Sequence, residues 1–262
     1  MKDFLYNFLA NVRNRHVPTA PAAESAGRVR IAVMQHFPCD LPPCFADRTI
    51  YFPLLCGRSS GEDGTACDAT GDNISRYNPF LNEMTGIYWM ARHDAELGAP
   101  DFIGVNHYRR FLEWSPSLLA KGTVVATSTV VHHRIGDWLR RTLGLPQLEP
   151  LLDRVRMELE DLGLDDFAAY LGSHTLYPRN MFIMDRETFF RYFAFMERFL
   201  ALFREMVDSR AIPLDDAKPV ERRLYGYVLE QLTSYWIYHA RRTGAARVVT
   251  TYIQDFAVAP RG

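Results

Sequence analysis

"APDFIGVNHYRRFLEW", residues 99–114, decides how the chain is to be read. Asp101 to Val105 has the look of a buried strand, and the run then breaks into Asn106-His107-Tyr108-Arg109-Arg110. In an open α/β sheet, ligands gather beyond the carboxyl ends of the strands. A strand that delivers two guanidinium groups and an imidazole to that edge therefore marks a place for function. Guanidinium forks match phosphate oxygens in pairs, and adjacent arginines are costly to desolvate without an anion. Chemistry alone leaves three uses open for Arg109 and Arg110: a phosphate ligand, an ion pair with Asp or Glu, or solvent.

Working outward, the elements alternate. "VRIAVM" (29–34) and "TIYFPLL" (49–55) are strand candidates on the amino-terminal side. "NPFLNEMTGIYWMARHDAEL" (78–97) has Phe80, Met84, Ile87, Tyr88 and Ala91 at helical spacing, with Asn78 as N-cap and Pro79 at the first helical position. "TVVATSTVV" (123–131) is a further strand candidate, the segment 135–171 is helical in pattern, and "NMFIM" (180–184) is a short strand. Asp185 can cap the long helix that follows, a last helix covers roughly 220–241, and "ARVVTTYI" closes with a strand. This order predicts an α/β fold with a mainly parallel central sheet, flanking helices and a helical second half.

The composition sets bounds. The chain has 262 residues, 48% hydrophobic and 13% aromatic, enough for a substantial core. A formal charge of −1 argues against nucleic-acid binding through a wholesale basic surface. Cys39, Cys44, Cys56 and Cys67 match no zinc spacing and read as ordinary reduced cysteines. Met1 to His16 lacks the continuous apolar core of a secretory signal, and no apolar run nears the ~18 residues of a membrane span. Phe4, Leu5, Phe8, Leu9 and Val12 share one helical face, and a Pro/Ala-rich stretch follows. The division expected is therefore an amphipathic helix and linker over 1–28 and a folded domain over 29–262. The helix suits a membrane surface or a docking partner, through residues 1–16, or packing on its own domain.

Four segments carry a resemblance: "GDNISRYNPFLNEMTGIYW", "DFIGVNHYRRF", "YPRNMFIM" and "RRLYGYVLEQL", in that order. The ordered set resembles a bacterial capsular-polysaccharide-synthesis family long catalogued as a domain of unknown function and linked to galactofuranosyltransferases. Asn106, Asn82 and Met84 depart from residues the family favours. The resemblance implies a GT-A-like glycosyltransferase that moves a hexosyl unit, galactofuranose being favoured, from a UDP-sugar donor to a glycan or lipid-linked glycan acceptor. Another UDP-sugar donor, or a non-catalytic sugar-nucleotide or glycan-binding partner in an assembly complex, is the alternative. The lack of a signal or span leads to the expectation of a cytoplasmic protein, peripheral at the inner face of the cytoplasmic membrane through residues 1–16. Basic residues that do not segregate argue against a nucleic-acid partner. His107, Arg109 and Arg110 stand where many GT-A enzymes carry a metal-binding Asp-x-Asp, so the expectation is arginine in place of metal, with no cofactor. Glu230 is the first choice for the general base and Asp137 the second. Asp72, Asn73, Asn78, Glu83, Asn180 and Arg223 are the candidate substrate-binding residues; for each, turn, cap or ion-pair chemistry is the competing use.

Overall fold

The computed structural model describes residues 27–58, 65–212 and 218–259, without the side chains at 219 and 220. The helix expected over 1–16 lies outside the described residues. The sheet starts with β1 (Val29–Gln35), in which every residue but Arg30 is buried, as befits a strand covered on both faces. β2 (Tyr51–Leu55) and the short β3 (Ala66–Cys67) add to it in parallel on one side. The helix expected over 78–97 forms as two pieces, α1 (Asn78–Leu81) and α2 (Met84–Arg92). The break is Asn82, at φ 56° and ψ −144°, a left-handed φ that costs a residue with a Cβ. Asn78 lies inside α1, so it does not serve as its N-cap.

β4 (Phe102–His107) pairs in parallel on the other side of β1. It does not end in a loop: Tyr108 and Arg109 form a two-residue turn, and β5 (Arg110–Leu112) runs back with Arg110 directly opposite His107. β6 (Thr123–Thr127) and β7 (Thr129–Val130) lead into α3 (Ile135–Leu143), α4 (Leu148–Asp161) and α5 (Phe167–Leu171). β8 (Thr175–Leu176) pairs with β7, and β9 (Phe182–Asp185) enters between β4 and β6, antiparallel to both. As expected, Asp185 caps the next helix, α6 (Arg186–Asp208), accepting the Thr188 N–H at 3.2 Å. α7 (Pro219–Arg222) and α8 (Leu224–Thr243) follow, split at Arg223. β10 (Arg247–Thr251) lies parallel to β6, and β11 (Ile253–Asp255) antiparallel to β5.

The main path of the sheet runs β10-β6-β9-β4-β1-β2-β3. Among the described residues every strand on it except β9 points the same way. The α/β class with a mostly parallel central sheet is therefore observed, with one reversed strand. That reversal has a consequence: the start of β9 lies at the edge where β4 and β6 end.

Alternation along the strands makes two cores. Met34, Ile103, Val105, Phe182 and Met184 face the layer that holds α2 to α6 and α8. Ile31, Val33, Val125 and Ile183 face the other way, onto Tyr51, Phe45, Phe111 and Leu112. Phe45 and Phe111 stack there at 4.1 Å between centroids. The described α-helices thus gather on one face, while β5, β11 and irregular chain cover the second. Among the described residues no helix is long and apolar enough to cross a membrane, and none of the four cysteines is in a disulfide.

Candidate active site at the carboxyl rim of β4

The register Val105↔Phe182 brings His107, at the end of β4, beside Arg179 and Asn180, which precede β9. Both of those residues are left-handed, at φ 73° and φ 52°. For residues with a Cβ such backbone costs roughly 1–3 kcal/mol each and persists only when its surroundings hold it there. Three elements do so. Glu230 Oε1 of α8 accepts the Arg179 N–H at 2.8 Å, and His107 Nε2 donates to the Arg179 carbonyl at 2.7 Å. The Asn180 amide donates to Glu83 Oε1, at the start of α2, at 2.8 Å. Asn180 is fully buried, and its Oδ1 has no hydrogen-bond partner. Residues held in such backbone cluster at active sites, which makes this turn at the carboxyl edge a candidate functional site.

The electrostatics agree. Burial, reinforced by the charge of Glu83, pushes the Glu230 carboxyl up to about 7 against the Arg179 N–H bond. A carboxylate poised near neutrality suits proton transfer at physiological pH. Burial holds the His107 imidazole below its usual value, against the opposing pull of Glu83. Because a carbonyl only accepts, the bond to Arg179 places the ring proton on Nε2 and leaves Nδ1 as an acceptor. His36, immediately after β1, is also held low by burial, and Arg223 and Arg109 act on it in the same direction.

Beside this cluster a cavity of about 290 Å³ is lined by His36, Asn78, Pro79, Asn82, Arg222 and Arg223. Arg223 Nε donates to Asn82 Oδ1 at 2.5 Å. Asn82 keeps its place because α8 passes it with Gly226, where a Cβ would overlap the Asn82 amide. Arg223, Gly226 and Glu230 fall at i, i+3 and i+7, so one helical face presents all three to the site. Asn78 donates to the Asn82 carbonyl at 2.8 Å and to the Thr85 hydroxyl at 3.0 Å. Thr85 and Ser75 in turn each donate at 2.5 Å to the fully buried Asp68. A second cavity, about 340 Å³, lies at the opposite, amino edge around Val29, Leu97 and Trp114, away from these titratable groups.

Of the residues singled out in the sequence, His107, Glu83, Asn180 and Glu230 meet in one cluster, and Asn78 and Arg223 line the cavity. Glu83 finds its partners in Asn180 and, at 4.0 Å, His107. Asn180 lies in the strained turn and does not open the strand. Arg109 and Arg110 diverge. Arg110 pairs through Nε with Asp255, its cross-strand neighbour on β11, at 3.0 Å, while its charge still reaches His107 and Glu230. Arg109 is exposed on the turn, its guanidinium 5.0 Å from the Tyr108 ring centre. The two do not form a joint clamp, because turn and strand send neighbouring side chains in different directions.

Asp72 and Asn73 are not brought to the cluster. Asp72 accepts from Tyr88 at 3.0 Å and pairs with Arg92 at 3.4 Å, so it sits toward the far end of α2, up to about 13 Å of helix from Glu83. Asn73 closes its own turn, bonding the Gly71 carbonyl and the Ser75 N–H. Asp137 is exposed on α3 and pairs with Arg140 at 3.7 Å. His36, Asn82 and Asp68 were missed. His36 comes directly after β1, at the edge where His107 ends β4, so the same edge argument could have found it. No local pattern marks Asn82 or Asp68. Among the described residues no group of three or more His, Cys, Asp or Glu is arranged to hold a metal ion.

A family model matches residues 30–143 and 146–241, described as a domain of unknown function, DUF4422. The chain belongs to the DUF4422 family. The DUF4422 match runs from β1 to α8 and so includes every member of the cluster. In three dimensions the chain is similar to the apo structure of WbbM, a bifunctional glycosyltransferase, with a TM-score of 0.68 and 21% sequence identity. The likeness covers 89% of this chain and 46% of that one, so this DUF4422 chain has the fold of a little under half of WbbM. No curated protein matches it in sequence.

Proposed function

We propose that the chain is a glycosyltransferase that moves a hexosyl unit from a nucleoside-diphosphate sugar to a glycan or lipid-linked glycan hydroxyl. One observation carries the reading: a carboxylate raised to about 7, Glu230, is tied to a strained buried turn at the carboxyl rim of β4. The fold likeness to WbbM supports the class, and the sequence resemblance favours UDP-galactofuranose as donor.

The chemistry is a single in-line displacement with inversion. The acceptor oxygen attacks the anomeric carbon as the bond from that carbon to the diphosphate oxygen breaks, and the electron pair leaves with the diphosphate. Glu230, ionised, takes the acceptor proton. Arg223 and Arg222 at the cavity, with Arg109 and Arg110 on the adjoining hairpin, place positive charge where the leaving group becomes more negative. The buried Asn180, with a free carbonyl oxygen, is set to bond a hydroxyl of the transferred sugar. Carboxylates raised toward neutrality cluster at catalytic sites, which favours the enzyme over the binding partner.

The test is turnover of UDP-galactofuranose, UDP-galactopyranose and UDP-glucose by the full chain, with melting temperature followed in parallel. Hydrolysis or transfer of at least one donor, with a raised melting temperature, is the expected result. The absence of both turnover and a thermal shift with all three donors would overturn the proposal.

A further inference from the structure

β5 and β11 form a ribbon that joins the site to the far corner of the sheet. At one end Asp255 faces Arg110, which faces His107. At the other, Thr251 at the end of β10 is in register with Thr127 at the end of β6. Among the described residues the two most exposed large hydrophobic side chains follow these paired threonines: Val130, 73% exposed, and Tyr252, 69% exposed. Tyr252 is not on a loose tip. Its carbonyl accepts the Glu113 N–H at 2.9 Å, and the neighbouring Thr251 hydroxyl bonds the Glu113 carbonyl at 2.6 Å. Tyr252 and Gln254 are two apart in extended chain, so they project to one side. Gln254 donates there to the Glu113 carboxylate at 3.2 Å, and both side chains are half-buried.

We propose that Tyr252, Gln254 and Glu113 form a saccharide subsite for the growing glycan, behind the hydroxyl that reacts. The proposal rests on the glycosyltransferase reading above. A sugar ring has an apolar C–H face and a rim of hydroxyls. A rigid exposed tyrosine offers a flat apolar surface at little entropic cost, and a flanking carboxylate and amide accept from and donate to hydroxyls. Tyr252 is three residues from Asp255, about 10 Å of extended chain. This odd offset turns it to the other face of the ribbon from Asp255, Arg110 and His107, so a tetrasaccharide reaches the rim of β4 by passing over the ribbon's edge.

The test is calorimetric titration of the full chain with galactose-, glucose- and mannose-based tetrasaccharides. At least one binds the wild type, and Tyr252→Ala weakens it about five- to tenfold at unchanged melting temperature. Tyr252→Phe keeps the affinity, and Gln254→Ala weakens it independently. Failure of all three probes to bind, or equal affinity in Tyr252→Ala, would overturn the subsite. Tyr252-dependent binding without any nucleotide-sugar turnover would sink the transferase reading and leave the subsite standing. Turnover whose acceptor KM ignores Tyr252→Ala would sink the subsite alone.

Discussion

Glu230 accepts the backbone N–H of Arg179 across 2.8 Å, although 51 residues separate them in the chain. The next residue, Asn180, gives its amide to a different carboxylate, Glu83. Two acidic groups are thereby held at one strained turn, and the charge of Glu83 helps to raise Glu230. Removing that charge in Glu83→Gln lets Glu230 ionise more easily. Because a base works only when ionised, the acid limb of the pH–rate profile moves to lower pH in this variant.

Arg110 acts on Glu230 in the opposite sense, favouring its ionised form. Arg110→Ala therefore moves the same limb to higher pH. A profile identical to the wild type would mean that Asp255, 3.0 Å away, fully cancels the guanidinium at the site.

Gly226 permits the close passage of α8 over Asn82. Glycine to alanine within a helix ordinarily stabilises by roughly 0.5–1 kcal/mol. Here the added methyl overlaps the Asn82 amide, and overpacking of this kind costs about 1–3 kcal/mol. Gly226→Ala should lower the melting temperature by a few degrees, and adding Asn82→Ala should restore much of the loss. Raised stability in the single variant would show that Asn82 swings clear.

Arg223 lines the cavity and is fixed by Asn82. Losing a charge-assisted bond to a phosphate costs about 1.5–3 kcal/mol. Arg223→Ala should thus weaken UDP affinity by about ten- to a hundredfold, measured by titration calorimetry. Lysine should recover only part, since it lacks the planar fork. Because these cations are built into the chain, turnover should also survive saturating EDTA; complete loss would give a divalent ion the leading role.

The strands β1, β4, β6, β9 and β10 and the helices α6 and α8 were legible because each is a continuous apolar run or a long periodic one. The argument from the carboxyl edge found His107, and helical spacing put Arg223 and Glu230 on one face. What stayed hidden depends on contacts distant in sequence. The segment Tyr108–Arg109 reads as a strand end, yet it is a turn because β11 is there to pair with β5. The helix at 78–92 breaks because Asn82 is wedged under Gly226, more than a hundred residues later. The roles of Asn180 and Glu83 depend on β9 running against its neighbours β4 and β6, which a short apolar run does not reveal. Asp72 and Asn73 misled because turn-forming residues look the same whether they close a loop or hold a ligand.

The most direct test is the rate of donor turnover by Glu230→Gln, with UDP-induced thermal stabilisation read on the same preparation. The account predicts a fall in kcat on the order of 10²- to 10⁴-fold, with stabilisation by UDP retained and the acid limb near pH 7 abolished. A Glu230→Gln enzyme that turns over at the wild-type rate, with the same pH profile, would contradict it.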